Sequence, residues 1–158
     1  MAKATVAIIL SNYNQGGYLP ESLHAICGQT RPADEIIVID DGSMDDSAAV
    51  IEDFARWYPR IRFLRNERNV GLQESIARVL PLVTSDYLVW AASDARLLPE
   101  FLEKSMAVLE RHPQAGLCFS ELSVLKVDMS EIERFAALPW LEHIYDLSDL
   151  PEYMSPDT

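Results

Sequence analysis

The chain has 158 residues, enough for one domain with a real core. Hydrophobic residues make up 49% and charged residues 24%, the balance of an ordinary globular protein. A net charge of −12 opposes binding to nucleic acid, which needs a basic face, and any anionic substrate would require a focused basic patch or a cation to offset the field.

The longest apolar run, near residues 6–10, is far too short to cross a bilayer. MAKATVAIIL lacks the longer apolar core and small-residue cleavage site of a signal peptide, so it reads as a first strand and a cytoplasmic protein or domain is expected. Cys27 and Cys118 form no CxxC pair and read as free thiols of a reducing compartment. His24, His112 and His143 are scattered, as surface or helix-end residues are.

Strand and helix signals then alternate. ATVAIIL (4–10) is a β-rich apolar run, and YLPESLHAIC (18–27) places Leu19, Leu23 and Ile26 on one helical face. EIIVID (35–40) is a second strand stopped by Asp-Gly. SAAVIEDFARWY (47–58) carries Val50, Ile51, Phe54, Ala55 and Tyr58 at helical spacing, with Asp45 or Asp46 before it as a cap. IRFLR (61–65) is a short third strand, and GLQESIARVLPLV (71–83) predicts a helix with Leu72, Ile76, Val79 and Val83 in a stripe. DYLVWA (86–91) is a fourth strand. LPEFLEKSMAVLERH (98–112) is a helix with Pro99 near its start, where the missing N–H costs little. AGLCFSELSVLKV (115–127) reads as one or two strands, MSEIERFAAL as a helix stopped by Pro139, and the remainder is irregular and acidic.

Strands that are apolar throughout, separated by helices, indicate a mostly parallel sheet with helices on both faces. Ligands of such sheets bind beyond the carboxyl ends of the strands, so the polar residues after each strand carry the functional reading. SNYN (11–14) offers backbone and short polar side chains to a base edge. In DDGS (40–43), Asp40 is a strong acceptor for a base or ribose. A plain strand-to-helix turn, with Gly42 supplying unusual backbone angles and Ser43 or Asp45 capping, accounts for the same residues. RNERNVG (65–71) holds Arg65 and Arg68, the main basic cluster, just before a helix N-terminus and so suits an anion; a solvated loop capped by Asn69 is the plainer reading. ASDAR (92–96) has one acid, Asp94, with Ala92 and Ala95 around it and Arg96 behind. By itself that is a turn former, but Mg²⁺ often takes only one or two protein carboxylates when phosphates complete its shell.

In order and spacing, these stretches resemble the N-terminal half of a family 2 glycosyltransferase of the GT-A fold, over about residues 5–120. TVAIILSNYNQGGYLPESLHAICGQTRPADEIIVIDDGSMDDS is similar to that family's opening. RNERNVGLQESIARVL is similar to its Asn-x-Gly segment, and SDYLVWAASDARLLPEFLEK to its strand, Asp-x-Asp turn and following helix. The resemblance implies a nucleotide-diphosphate sugar donor whose base meets Asp40, in a pocket lined by Ser11 and Asn14, with Asp41, Arg68, Ser93 and Arg96 as further donor contacts. It makes Asp94 the closing aspartate of the turn and the ligand of Mg²⁺ or Mn²⁺. Ala92 departs from the pattern at the opening aspartate, which weakens the implied metal shell.

The resemblance also implies inverting transfer to an acceptor hydroxyl on a saccharide, a lipid-linked compound or a protein, with a catalytic base well downstream. Asp146, Asp149 and Glu152 fit no such pattern, so the base is expected beyond Thr158. On this reading residues 1–127 are the donor-binding core, and residues 128–158 begin an acceptor half that could also place the enzyme at the inner face of a membrane. The alternative is a non-catalytic donor-binding or scaffold domain with an eroded Asp-x-Asp turn. A nucleotidyltransferase is disfavoured because SNYNQGG has no basic residue, and a dinucleotide oxidoreductase because no GxGxxG follows a strand.

Overall fold

The computed structural model describes residues 3–118. Strands and helices alternate as β1 (Val6–Asn12), α1 (Leu19–Cys27), β2 (Glu35–Asp40), α2 (Ser47–Trp57), β3 (Ile61–Arg65), α3 (Leu72–Val79), a tight helical turn (Leu80–Leu82), β4 (Tyr87–Ala92) and α4 (Phe101–Arg111). Within the described residues, 3–110 form one compact unit, and 111–118 belong to a second. In the second, the His112 carbonyl accepts the Ala115 amide at 2.8 Å. The predicted strand over 115–127 lies outside the described residues from 119 onward, as do the helix before Pro139 and the acids Asp146, Asp149 and Glu152.

All strand pairs are parallel, in the order β3-β2-β1-β4. The chain steps outward from β1 through β2 to β3, then returns to the far side of β1 for β4. Right-handed crossovers put α1 and α2 on one face and α3 on the other. The packing agrees: Ile9, Ile37 and Ile39 pack with Val79 of α3, backed by Leu64, Leu82 and Val83. On the other face α1 buries Leu19, Leu23 and Ile26 completely or nearly so, at about 1.5–3 kcal/mol of stabilisation per side chain. Helix α4 is tied to the segment after α1 through Gln29, whose Oε1 accepts Leu102 N at 3.0 Å, and through the Arg31–Glu110 ion pair at 2.8 Å.

Four sequence expectations change. The helix predicted over 71–83 ends at Val79: Pro81 has no N–H to donate to the carbonyl four residues back, and the chain continues as a tight turn through Leu82. The helix predicted from Leu98 begins at Phe101: the Leu98 carbonyl accepts Gln29 Nε2 at 2.8 Å and the Pro99 carbonyl accepts Thr30 N at 2.8 Å, so both residues serve the preceding turn. Leu72 leaves the expected stripe and is exposed, while Ser75 and Val79 face inward. Strand β4 is not apolar-buried throughout: by register Leu88 and Trp90 share the face of Ala7 and Ile9, yet remain 39% and 38% exposed. No helix among the described residues is long and apolar enough to cross a membrane.

The order of the sheet reverses between β1 and β4. The crevice outside the strand ends at such a reversal is where an open α/β sheet takes its ligand. The loops after β1, β2 and β4 all end there.

Candidate functional site

The ends of β1 and β2 are locked together. Asp40 is fully buried. Its Oδ1 accepts Asn12 Nδ2 at 2.8 Å and the Ser43 hydroxyl; its Oδ2 accepts Ser43 N at 3.0 Å and lies 3.3 Å from Arg65 Nε. The structure therefore changes the part expected of Asp40. Its carboxylate is occupied internally and holds the loop that carries Asp41, with no surface of its own to offer a base. Arg65 completes the lock by donating from Nη2 to the Ser43 carbonyl at 2.8 Å. Asn12, which sequence reasoning passed over, is buried between Asp40 and Ser43, 3.2 Å from Ser43 Oγ. The signal that could have found it is a polar residue continuing the inward face of Ile8 and Leu10.

Asn14 sits in the left-handed region at φ 51, which asparagine tolerates better than most residues. Its amide donates to Ser43 Oγ at 2.8 Å and its Oδ1 accepts Met44 N at 2.8 Å, a two-way clip between the loops after β1 and β2. Asp45 adds a second clip by accepting Gly16 N at 2.9 Å and Ser47 N at 3.0 Å. Donors from Ser47 and Gly16 hold its carboxyl below the usual range against the opposing effect of burial. Ser11 lies one residue before Asn12, partly exposed on β1 and paired in register with Ile39 and Ala92.

Asp41 differs from Asp40 in having a little surface left, 6% against none. Its Oδ1 accepts Asn66 Nδ2 at 2.8 Å and Val70 N at 2.9 Å, and its Oδ2 accepts Gly71 N at 2.8 Å. The Gly71 amide is shared with Asn69 Oδ1 at 3.0 Å, so Oδ2 is the less loaded oxygen. Burial pushes the Asp41 carboxyl up, but donors from Val70, Asn66, Gly71 and Ser75 outweigh it and hold the group below the usual carboxylate range. The loop 66–71 is thus drawn over the strand ends, and Gly42, at φ 69, meets it directly. A Cβ at Gly42 would fall 2.5 Å from the Arg68 carbonyl carbon.

The arginines divide by what already holds them. Arg65 is engaged with Asp40 and Ser43, and Arg96 donates to Glu21 at 2.9 Å. Arg68 is exposed and has no ion-pair partner among the described residues. The turn after β4 is looser. Ser93 is buried and its hydroxyl donates to Gln15, which bridges the loops after β1 and β4. Ser22 Oγ donates to the Ala92 carbonyl at 3.3 Å. Asp94 is exposed. Among the described residues no three His, Cys, Asp or Glu side chains gather as a metal site. One exposed carboxylate fits a hard cation only when diphosphate oxygens supply most of the shell.

Cys27 is half-buried, and burial pushes its thiol up to about 11, which suits a structural residue rather than a nucleophile. His24 packs edge-on against Phe54 at 4.7 Å, as a helix-surface residue would.

Comparison with known proteins falls on the same region. Residues 7–128 match the family described as Glycosyl transferase family 2. The chain is 33% identical over 108 residues to the putative glycosyltransferase EpsE of Bacillus subtilis, covering 68% of this chain and 39% of that protein. It is 30% identical over 138 residues to the uncharacterized protein Rv1520 of Mycobacterium tuberculosis, covering 85% of this chain and 40% of that protein. Among solved structures, S. aureus TarS 1-349 in complex with UDP superposes with a TM-score of 0.64 at 23% identity, over 69% of this chain and 33% of that one. The mannosyltransferase PcManGT from Pyrobaculum calidifontis, in complex with GDP-Man and Mn2+, gives 0.60 at 24% identity, over 68% and 32%. At these identities the likeness is one of fold, and that fold is GT-A. The chain spans about 40% of the length of these sequence relatives.

Proposed function

We propose, from the premise that the chain belongs to glycosyl transferase family 2, that its described unit binds the nucleotide-diphosphate sugar of a glycosyl transfer reaction. The observation that carries this reading is the gathering of three polar strand ends at the point where the sheet order reverses. Asn14, Ser43 and Met44 clip the first two loops together, and Gln15 with Ser93 joins the first to the third.

Roles follow from what each group still has free. Asp41 Oδ2 accepts a hydrogen from the base or ribose, and Asp40, from beneath, holds the loop. Ser11 and Asn14 wall the nucleotide. Arg68 meets phosphate as the cation without a partner in the 65–71 loop. Arg96 reaches phosphate only by leaving Glu21. Ser93 braces the turn. Asp94 would hold a Mg²⁺ or Mn²⁺ together with the diphosphate, where the cation neutralises charge developing on the leaving group.

In the reaction, the acceptor hydroxyl oxygen bonds to the anomeric carbon as the bond from that carbon to the diphosphate breaks. The nucleotide diphosphate leaves with the electron pair, the hydroxyl proton passes to a base, and the configuration inverts. This chain's described residues orient the donor and balance its charge; we assign no base among them.

Isothermal titration with UDP, UDP-GlcNAc and GDP-Man, with and without Mn²⁺, tests the reading on the wild type and Asp94→Ala. At least one nucleotide should bind, and Asp94→Ala should remove the Mn²⁺-dependent part of the affinity, about tenfold, while keeping the rest. If none binds, the donor reading fails. A second reading, a non-catalytic donor-binding module, is favoured by the lone carboxylate after Ala92 and by the pairing of Arg96 with Glu21. Binding indifferent to Mn²⁺ in both proteins would support it.

A further inference from the structure

Asn66 follows β3 and is 5% exposed. Its polar groups are all engaged. Its backbone N donates to the Asp40 carbonyl at 2.8 Å; its Nδ2 donates to Asp41 Oδ1 and to Ser75 Oγ, each at 2.8 Å; its Oδ1 accepts Arg78 Nη1 at 2.9 Å. Arg78 in turn lies one helical turn from Glu74, with Nη2 3.2 Å and Nε 3.4 Å from Oε1. A chain of polar contacts therefore runs from the half-exposed surface of α3 through Asn66 to Asp41, the member of the Asp40–Asp41 pair that keeps a little surface.

The orientation of the Asn66 amide matters chemically. With its carbonyl held by Arg78, a group that can only donate, its NH₂ is left to face Asp41, a group that can only accept. Reversing the amide would set two acceptors against each other and two donors against each other. Arg78 thus fixes which way Asn66 points, and Asn66 fixes Asp41 Oδ1, leaving Oδ2 as the oxygen for a ligand. We propose that Asn66 and Arg78 are positioning residues that set the base selectivity of the donor site by orienting the Asp41 carboxylate. This rests on the donor-binding reading of Asp41 given above.

The test uses UDP, GDP and inorganic pyrophosphate as titrants against the full chain, its Arg78→Met and Asn66→Ala variants, and each combined with Asp41→Asn. Arg78 is half exposed, so Arg78→Met should fold even if Asn66→Ala does not. Arg78→Met should weaken the preferred nucleoside diphosphate about tenfold, narrow the ratio between UDP and GDP by a similar factor, and leave pyrophosphate binding as it was. Adding Asp41→Asn should cost little more, because the two act in series. Equal weakening of all three titrants, full additivity with Asp41→Asn, or an unchanged UDP-to-GDP ratio would overturn the proposal while the donor reading stands. Failure of the wild type to bind either nucleotide overturns both.

Discussion

The two ends of the candidate site are built differently. At the tips of β1 and β2, Asp40, Asn12 and Ser43 form a buried cluster, closed from the surface side by Arg65, in which the carboxylate takes hydrogen bonds on both oxygens. At the tip of β4, two residues after the strand, Asp94 stands exposed and Arg96 is tied to a surface glutamate. The first end is organised before any ligand arrives. The second is organised only in part, by the buried Ser93. Under the donor-binding proposal, recognition of the nucleoside falls to the preorganised wall, and charge balance at the diphosphate to groups that the ligand itself must arrange.

The largest expected effect separates these ends directly. Asp40→Ala removes the carboxylate that accepts from Asn12 Nδ2, Ser43 N and Arg65 Nε, and should cost about 1–3 kcal/mol of unfolding free energy for each buried donor left short of a partner. Asp94→Ala removes an exposed carboxylate and should stay within about 0.5 kcal/mol of wild type. Urea unfolding of both variants gives the comparison. Similar losses would mean that the two ends are equally built, and the contrast drawn here would be wrong.

Next in size is Gly42→Ala. The residue sits at φ 69 and its added Cβ would meet the backbone of Arg68 and Asn69, at 2.5–2.8 Å, rather than a side chain that can swing away. Backbone strain alone costs about 1–3 kcal/mol, and relief of the clash must push loop 66–71 outward. Gly71→Ala, at φ 91 with nothing near its Cβ, should suffer only the strain. Thermal unfolding should therefore rank wild type, Gly71→Ala, Gly42→Ala from most to least stable. A reversed order would show that the 66–71 loop is not held by its contact with Gly42.

This contrast was only half legible in the sequence. Apolar runs and helical stripes locate the four strands of the described residues and the helices between them, because each element repeats its signal over many residues. The strand tips were legible as polar punctuation after apolar runs. The division of labour within DDGS was not. Asp40 and Asp41 are adjacent and chemically identical, and only their partners distinguish them. Those partners, Asn12 and Asn66, lie 28 and 25 residues away, and reach the aspartates through sheet register that no local pattern encodes. Leu72 misled for a related reason. Its helical spacing suits a stripe, but α3 is short and turns Ser75 inward to meet Asn66. Trp90 is apolar and on the same face as Ile9, and the sequence does not reveal that this part of the face is left open.

The smallest expected effect concerns acid. Asp41 and Asp45 both lie at the closed end, and both carboxyls are held below the usual carboxylate range by amide and side-chain donors that outweigh their burial. A carboxyl with a depressed folded value adds stability that is complete above its unfolded value, near 4, and is lost as pH falls through the folded one. Glu35, bonded by Ser85 and Thr84, and Asp86, bonded by Thr5, act in the same direction at the opposite end of the strands. The urea midpoint should therefore hold nearly level from about pH 7 to pH 5 and decline below about pH 4. Asp45→Asn keeps one acceptor oxygen for Gly16 or Ser47 but loses the charge, so it should start from a lower midpoint and decline less steeply in acid. Parallel curves for wild type and Asp45→Asn would show that the second clip stabilises by hydrogen bonding alone, and that ionisation has no part in closing this end of the site.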